Sequence, residues 1–114
     1  LYLKVKNFLT NSGTNFIDKY EVQTNTMDEV FKNLNLEKTL LKIDVEGFEI
    51  NVIKGSKTKL KEIPFILIEN QFGNHYQNNS FDEVKEILLK EKFIILKKFI
   101  FPTMHYQDVL FKKI

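Results

Sequence analysis

Hydrophobic spacing changes period several times along the chain, and each change predicts an element. Leu1, Leu3 and Val5 alternate with Lys4 and Lys6, the period of a half-buried strand. A polar turn cluster at 11–15 and a second extended segment through Tyr20, Val22 and Thr24 make an N-terminal hairpin the simplest arrangement. Thr26 and Glu29 have capping-box spacing. Behind them Met27, Val30, Phe31 and Leu34 recur at i, i+3, i+4 and i+7, so a short amphipathic helix with Met27 in the core is expected.

Residues 39–43 read as a strand, and 48–60 as a helix broken or bent near Gly55. After Pro64 the apolar run Phe65, Ile66, Leu67, Ile68 ends at Glu69, Asn70 and Gln71. Continuous apolar runs of this kind suit strands of a parallel sheet buried on both faces. The polar stretch 71–79 is a loop. Ser80 and Glu83 form a second capping box, followed by Phe81, Val84, Ile87 and Leu88 on one helical face. Residues 93–96 predict a strand, 101–105 a turn, and 109–111 part of a last strand. Two strand–helix–strand units imply right-handed crossovers and parallel pairing. The closing pair has no helix between its strands, which implies an antiparallel last strand. The predicted class is α/β, half of a doubly wound sheet, mostly parallel, with the N-terminal hairpin added.

Composition narrows the function classes. The 114 residues suffice for one domain with a real core. No apolar run approaches the roughly 20 residues of a membrane span. There is no cysteine, which removes disulfides, thiolate metal sites and cysteine nucleophiles, and a small chain without disulfides suits the cytoplasm. All 17 basic residues are lysine and the net charge is only +2. Without arginine's bidentate contacts, nucleic acid is not an expected partner. The four glycines stand at 13, 47, 55 and 73, in neither a dinucleotide-binding fingerprint nor a P-loop. The chain opens on Leu1 and reads as a piece of a longer protein.

Chemistry concentrates at the ends of the two central strands. The run at 40–43 stops at Asp44, with Glu46, Gly47 and Glu49 following. In open α/β sheets, ligands sit outside the carboxyl ends of the strands. Asp44 is therefore a site candidate, or else it ends the strand and caps the next helix. Glu46 directly follows the strand end. Glu49 suits a helix start, where the dipole favours negative charge. Gly47 fits an unusual dihedral or a close backbone approach. Glu69 and Asn70 would open into the same cleft as Asp44, with His75 in the loop beyond.

The stretch from Leu41 to Glu49, then Val52-Ile53-Lys54-Gly55, Ile63-Pro64 and Ile66-Leu67-Ile68-Glu69 resembles the FkbM family of S-adenosylmethionine-dependent methyltransferases. The likeness runs from about Val22 to Ile114, with Gln107 to Phe111 resembling the last strand, and is strongest from Lys42 to Glu69. It implies a Rossmann-like class I methyltransferase sheet, S-adenosylmethionine as cofactor, and a hydroxyl of a sugar, glycan or secondary metabolite as acceptor. It also implies that residues 1–114 are a partial domain, because the glycine-rich cofactor turn after the first strand and the acid after the second are not in this sequence. The cofactor-binding residues are accordingly not assignable, and the piece alone is expected to be inactive.

Methyl transfer to an alcohol needs the acceptor oxygen aligned and its proton removed. The resemblance therefore implies catalytic roles for Asp44 and Glu46, and acceptor binding by Glu69, Asn70 and His75. Carboxylates with an amide could also hold magnesium through oxygen ligands, but no metal is assigned. The competing reading is a non-catalytic α/β module that binds a partner or completes a sheet in an assembly.

Overall fold

The computed structural model describes residues 21–45, 47–71, 81–102 and 105–114. The first part of the expected N-terminal hairpin, the loop at 72–79 and the capping residue Ser80 lie outside these residues, while Val22 and Thr24, expected in the hairpin's second extended segment, belong to no strand. The described elements are α1 (Met27–Val30), β1 (Leu40–Ile43), α2 (Glu49–Lys54), a 3-10 turn (Lys59–Lys61), β2 (Phe65–Gln71), α3 (Phe81–Lys90), β3 (Phe93–Ile100) and β4 (Tyr106–Lys113).

The four strands form one mixed sheet in the order β1-β2-β4-β3. β1 pairs with β2 in parallel, while β4 lies antiparallel to both β2 and β3. Three strands thus run one way and the last runs against them. Only one of the three neighbouring pairs is parallel, because β4 inserts between β2 and β3. The crossover through α3 therefore skips a place in the sheet.

One sheet face carries the core. Ile43, Ile66, Ile68, Val109 and Phe111 are buried there with Ile53 of α2, Val84 and Leu88 of α3, and Leu60 and Ile63 around the 3-10 turn. The Phe81 and Phe111 rings, 6.3 Å apart, seat α3 on β4. Lys54 of α2 pairs with Glu83 of α3 at 2.9 Å.

Several elements differ in length from their sequence pattern. The helix at Met27 lasts one turn, with Thr26 Oγ1 accepting from Glu29 N as the capping box requires. Met27 is buried as expected. Leu34 is exposed, and Leu36 enters the core instead. The reason is that the Leu34 carbonyl accepts from the buried Lys59 ammonium at 2.7 Å, which draws the chain away from the helix axis. The helix expected over 48–60 divides at Gly55: α2 ends there and the 3-10 turn begins at Lys59. A Cβ on Gly55 would stand 3.3 Å from the Asn51 carbonyl oxygen and in ordinary contact with Thr26, so the tight approach there is to the end of α2 itself.

Gln71 extends β2 rather than opening a loop, β3 runs on to Ile100, and β4 spans Tyr106–Lys113. Backbone pairing carries these strands past their apolar stretches, helped by a bulge between Ile95 and Lys97. Lys113, at the end of β4, is half-buried. Its ammonium donates to the Leu60 carbonyl and lies 4.6 Å from the Phe93 ring centre.

Candidate functional site

Register brings the two strand-end acids together. Ile43 is level with Ile68 in the parallel β1–β2 pair, so Asp44, just past β1, and Glu69, near the end of β2, are the next residues along. Side chains alternate along a strand. Lys42, level with Leu67, therefore shares a face with Asp44 and Glu69, opposite to the buried Ile43 and Ile68. On that same face Glu69 lies across from Asp108 of β4, and Asp108 across from Phe99 of β3. Three adjacent strands thus contribute three carboxylates to one face of the sheet.

Asp44 does not cap α2. That helix begins behind Phe48 without a side-chain cap, and Asp44 Oδ2 instead accepts from Lys42 Nζ at 2.8 Å. This hydrogen bond raises the Lys42 pKa above its ordinary value. Partial desolvation opposes the rise, and the fields of Asp44, Asp108 and Glu69 add to it. The lysine is thus held charged as counter-ion to the acidic face. Glu69 Oε1 accepts from Gln71 Nε2 at 2.7 Å, which fixes its carboxylate while leaving the other oxygen available to a ligand. Asp108 Oδ1 is buried with no hydrogen-bond partner among the described residues. Like charges directly opposite one another in a sheet are destabilising, so the Glu69–Asp108 pair is retained at a cost.

The other expected residues fall differently. Asn70 pairs with the buried Gln107 and so lies on the face opposite Glu69, as consecutive strand residues must. Glu49 is buried and turned inward: both its carboxylate oxygens accept from Gly47 N, at 3.0 and 3.1 Å. It clamps the turn between β1 and α2, where Gly47 has φ 98°, a conformation that side chains disfavour. Glu46 and His75 lie outside the described residues. Among the described residues, no group of three or more His, Asp or Glu side chains is arranged to hold a metal ion.

Sequence reasoning missed Lys42 and Asp108. Lys42 had a signal: it is the one charge inside the apolar run, two residues before Asp44. Asp108 had none, because its place opposite Glu69 depends on β4 inserting beside β2.

Beside β1 runs a groove of about 500 Å3 lined by Thr24, Met27, Leu41, Ile43, Val45 and Val52 among others. Among the described residues its walls contain no carboxylate, and Lys42 is their one charged residue. S-adenosylmethionine carries a sulfonium cation and a ribose diol, both of which call for acidic acceptors. The described walls of this groove supply no such acceptor.

Among the described residues, no helix is long and apolar enough to cross a membrane. No curated protein and no solved structure gives a significant match to the chain. The family model described as the Methyltransferase FkbM domain matches residues 4–95. The match begins well before Val22 and so takes in the N-terminal segment, while β4 falls beyond its end. With most of its length matched across the acid-bearing strand ends, the chain belongs to the FkbM methyltransferase family.

Proposed function

We propose that this sheet is the acceptor-side half of a Rossmann-like, S-adenosylmethionine-dependent O-methyltransferase, acting on a hydroxyl of a sugar, glycan or secondary metabolite. The observation that carries this reading is the shared face of Asp44, just past the end of β1, and Glu69, two residues before the end of β2, toward the side where open α/β sheets hold ligands. Family membership supplies the reaction class.

In this reading Asp44 accepts the proton of the acceptor hydroxyl as its oxygen attacks, and Lys42 aims the Asp44 carboxylate through their hydrogen bond. Glu69, steadied by Gln71, accepts a hydrogen bond from a neighbouring hydroxyl and sets the acceptor's orientation. Glu46 and His75 remain proposed members of the set from the family resemblance, while Asn70, on the face opposite Glu69, would reach the acceptor only from the other side of the sheet. The donor belongs to residues other than those described, so these side chains orient and deprotonate the acceptor only.

Two measurements test the reading. In the complete enzyme, Glu69→Gln should raise the acceptor KM, while unchanged turnover and affinity would remove Glu69 from the site. Calorimetric titration of S-adenosylmethionine into this chain should give no heat at micromolar concentrations. Micromolar binding would overturn the assignment of the donor to other residues. A chain that instead captures a protein partner, with Asp44→Asn silent in the complete enzyme, would be the non-catalytic module.

A further inference from the structure

β3 stands at the edge of the sheet opposite β1, and its two halves are built differently. In the first half Phe93 is buried and Ile95 packs against the core. From Leu96 to Ile100 every residue is exposed, yet the segment reads Leu96-Lys97-Lys98-Phe99-Ile100 and continues into Phe101. Among the described residues, five of the eleven exposed large apolar side chains stand at 94, 96, 99, 100 and 101, with Ile100 67% exposed. Apolar residues exposed singly need no explanation, whereas a contiguous group marks a surface that meets something.

This edge is not built to add another strand. A bulge between Ile95 and Lys97 breaks its register, and two lysines follow. Bulges and lysines are the devices that keep edge strands from pairing. The contact is therefore made by side chains, and these are apolar and cationic together. Between Glu91 and Asp108 the sequence has Lys92, Lys97 and Lys98 and no acid. Among the described residues, neither Lys97 nor Lys98 has a carboxylate partner. The Lys97 ammonium lies 4.9 Å from the Phe99 ring centre instead. Asp108 is level with Phe99 but half-buried on β4, one strand in from the edge.

We propose that the outer half of β3, with Phe101, docks on an anionic lipid surface. Each face of the strand carries a lysine and, two places on, a large apolar residue: Lys97 with Phe99, and Lys98 with Ile100. The strand thus enters edge-first, its apolar side chains in the boundary between headgroups and acyl chains. The lysine stems lie along that apolar surface while their ammonium groups reach the phosphates. A headgroup layer also hydrates the strand's outward backbone groups, which a dry protein contact would leave unsatisfied. Because β1, β2 and β3 run the same way, docking brings the end of the sheet that carries Asp44 and Glu69 to the bilayer.

Co-sedimentation of the full chain with vesicles tests this. Vesicles of mixed phosphatidylcholine and phosphatidylserine should bind it at least about tenfold more tightly than phosphatidylcholine alone, and high salt should remove the difference. The double variant Lys97→Glu, Lys98→Glu should lose at least about tenfold on the mixed vesicles. Ile100→Ser with Phe101→Ser should lose about as much with the charge unchanged. All four positions are exposed, so unchanged urea midpoints will show that the fold is intact. Reversing Lys57 and Lys61, exposed elsewhere on the chain, alters net charge equally and should leave binding nearly unchanged. No binding to the mixed vesicles would overturn the proposal, as would equal loss from the Lys57 and Lys61 variant. So would a dimer in sedimentation that Ile100→Ser with Phe101→Ser dissociates, since the surface would then meet a second copy.

Discussion

The two faces of the sheet are built on opposite rules from the same four strands. On the covered face Ile43, Ile66, Ile68, Val109 and Phe111 are buried against α2 and α3. One residue along, the other face presents Lys42, Asp44, Glu69 and Asp108 among half-buried Leu67 and Leu110. The difference separates stability from chemistry. The covered face is mostly apolar, with Asn70 and the buried Gln107 as a polar pair at its edge, and the acidic face contributes little apolar burial. Even the two acids that flank the β1–α2 turn follow the division. Glu49 points inward and holds Gly47, while Asp44 stands outward with Lys42.

The largest effect should come from carving the covered face. Ile68 is fully buried, and Ile68→Ala should cost about 2–5 kcal/mol through lost burial and the cavity left behind. Leu67→Ala, its neighbour on the other face, removes a half-buried side chain and should cost under about 1.5 kcal/mol. Urea unfolding of both variants reads the contrast directly. Equal losses would mean that the acidic face is covered as deeply as the other, and the comparison would fail.

The next contrast is within the turn. In the complete enzyme Asp44→Asn should lower kcat by about 10²–10⁴, the usual worth of a positioned proton acceptor, with unfolding nearly unchanged because its ion pair with Lys42 is exposed. Glu49→Gln should behave the other way round. It weakens a buried carboxylate bonded to a backbone N–H and should cost about 1–3 kcal/mol of stability, leaving turnover of the folded fraction intact. A stable but inactive Glu49→Gln enzyme would move Glu49 into the site and blur the division of labour.

How much of this was legible in the sequence follows from the same division. Periodicity reports burial, so the covered face and the order of its strands and helices could be read from Leu40–Ile43, Phe65–Gln71 and Phe81–Lys90. The short helix at Met27 misled because period alone cannot see Lys59 capturing the Leu34 carbonyl. Strand lengths were underread where lysines interrupt β3, since a ladder is made by backbone and not by side chains. At the site, Asp44 and Glu69 were visible as acids ending apolar runs. Their common face and the contribution of Asp108 were not, because both depend on pairing between strands far apart in sequence. Asn70 looked like Glu69's partner in sequence, yet adjacent residues on a strand point to opposite faces.

The smallest effects are electrostatic, and they separate the helix layer from the acidic face by pH. Burial works against charge on Asp28, but hydrogen bonds from the Thr58 and Lys59 backbone N–H groups outweigh it and hold the carboxyl below its usual 3.8. A depressed carboxyl pKa contributes stability that is complete above the unfolded value and lost as pH falls through the folded one. The layer joining α1 to the 3-10 turn should therefore weaken in acid below about pH 4, and Asp28→Asn should flatten that part of the profile. Lys42 has the opposite sign. Its pKa is raised by the Asp44 hydrogen bond, so its contribution is complete below the ordinary lysine value of 10.5 and fades as pH climbs through the folded one. Lys113, whose pKa is lowered by burial, titrates in the same region but is untouched by a change at Asp44. The difference between the chain and Asp44→Asn, measured as urea midpoints from pH 9 to 12, therefore isolates the Lys42 pair. That difference should be small and should shrink further in high salt, as for an exposed ion pair. A large, salt-insensitive difference would place Lys42 and Asp44 in a buried network and would end the contrast between a structural face and an open one.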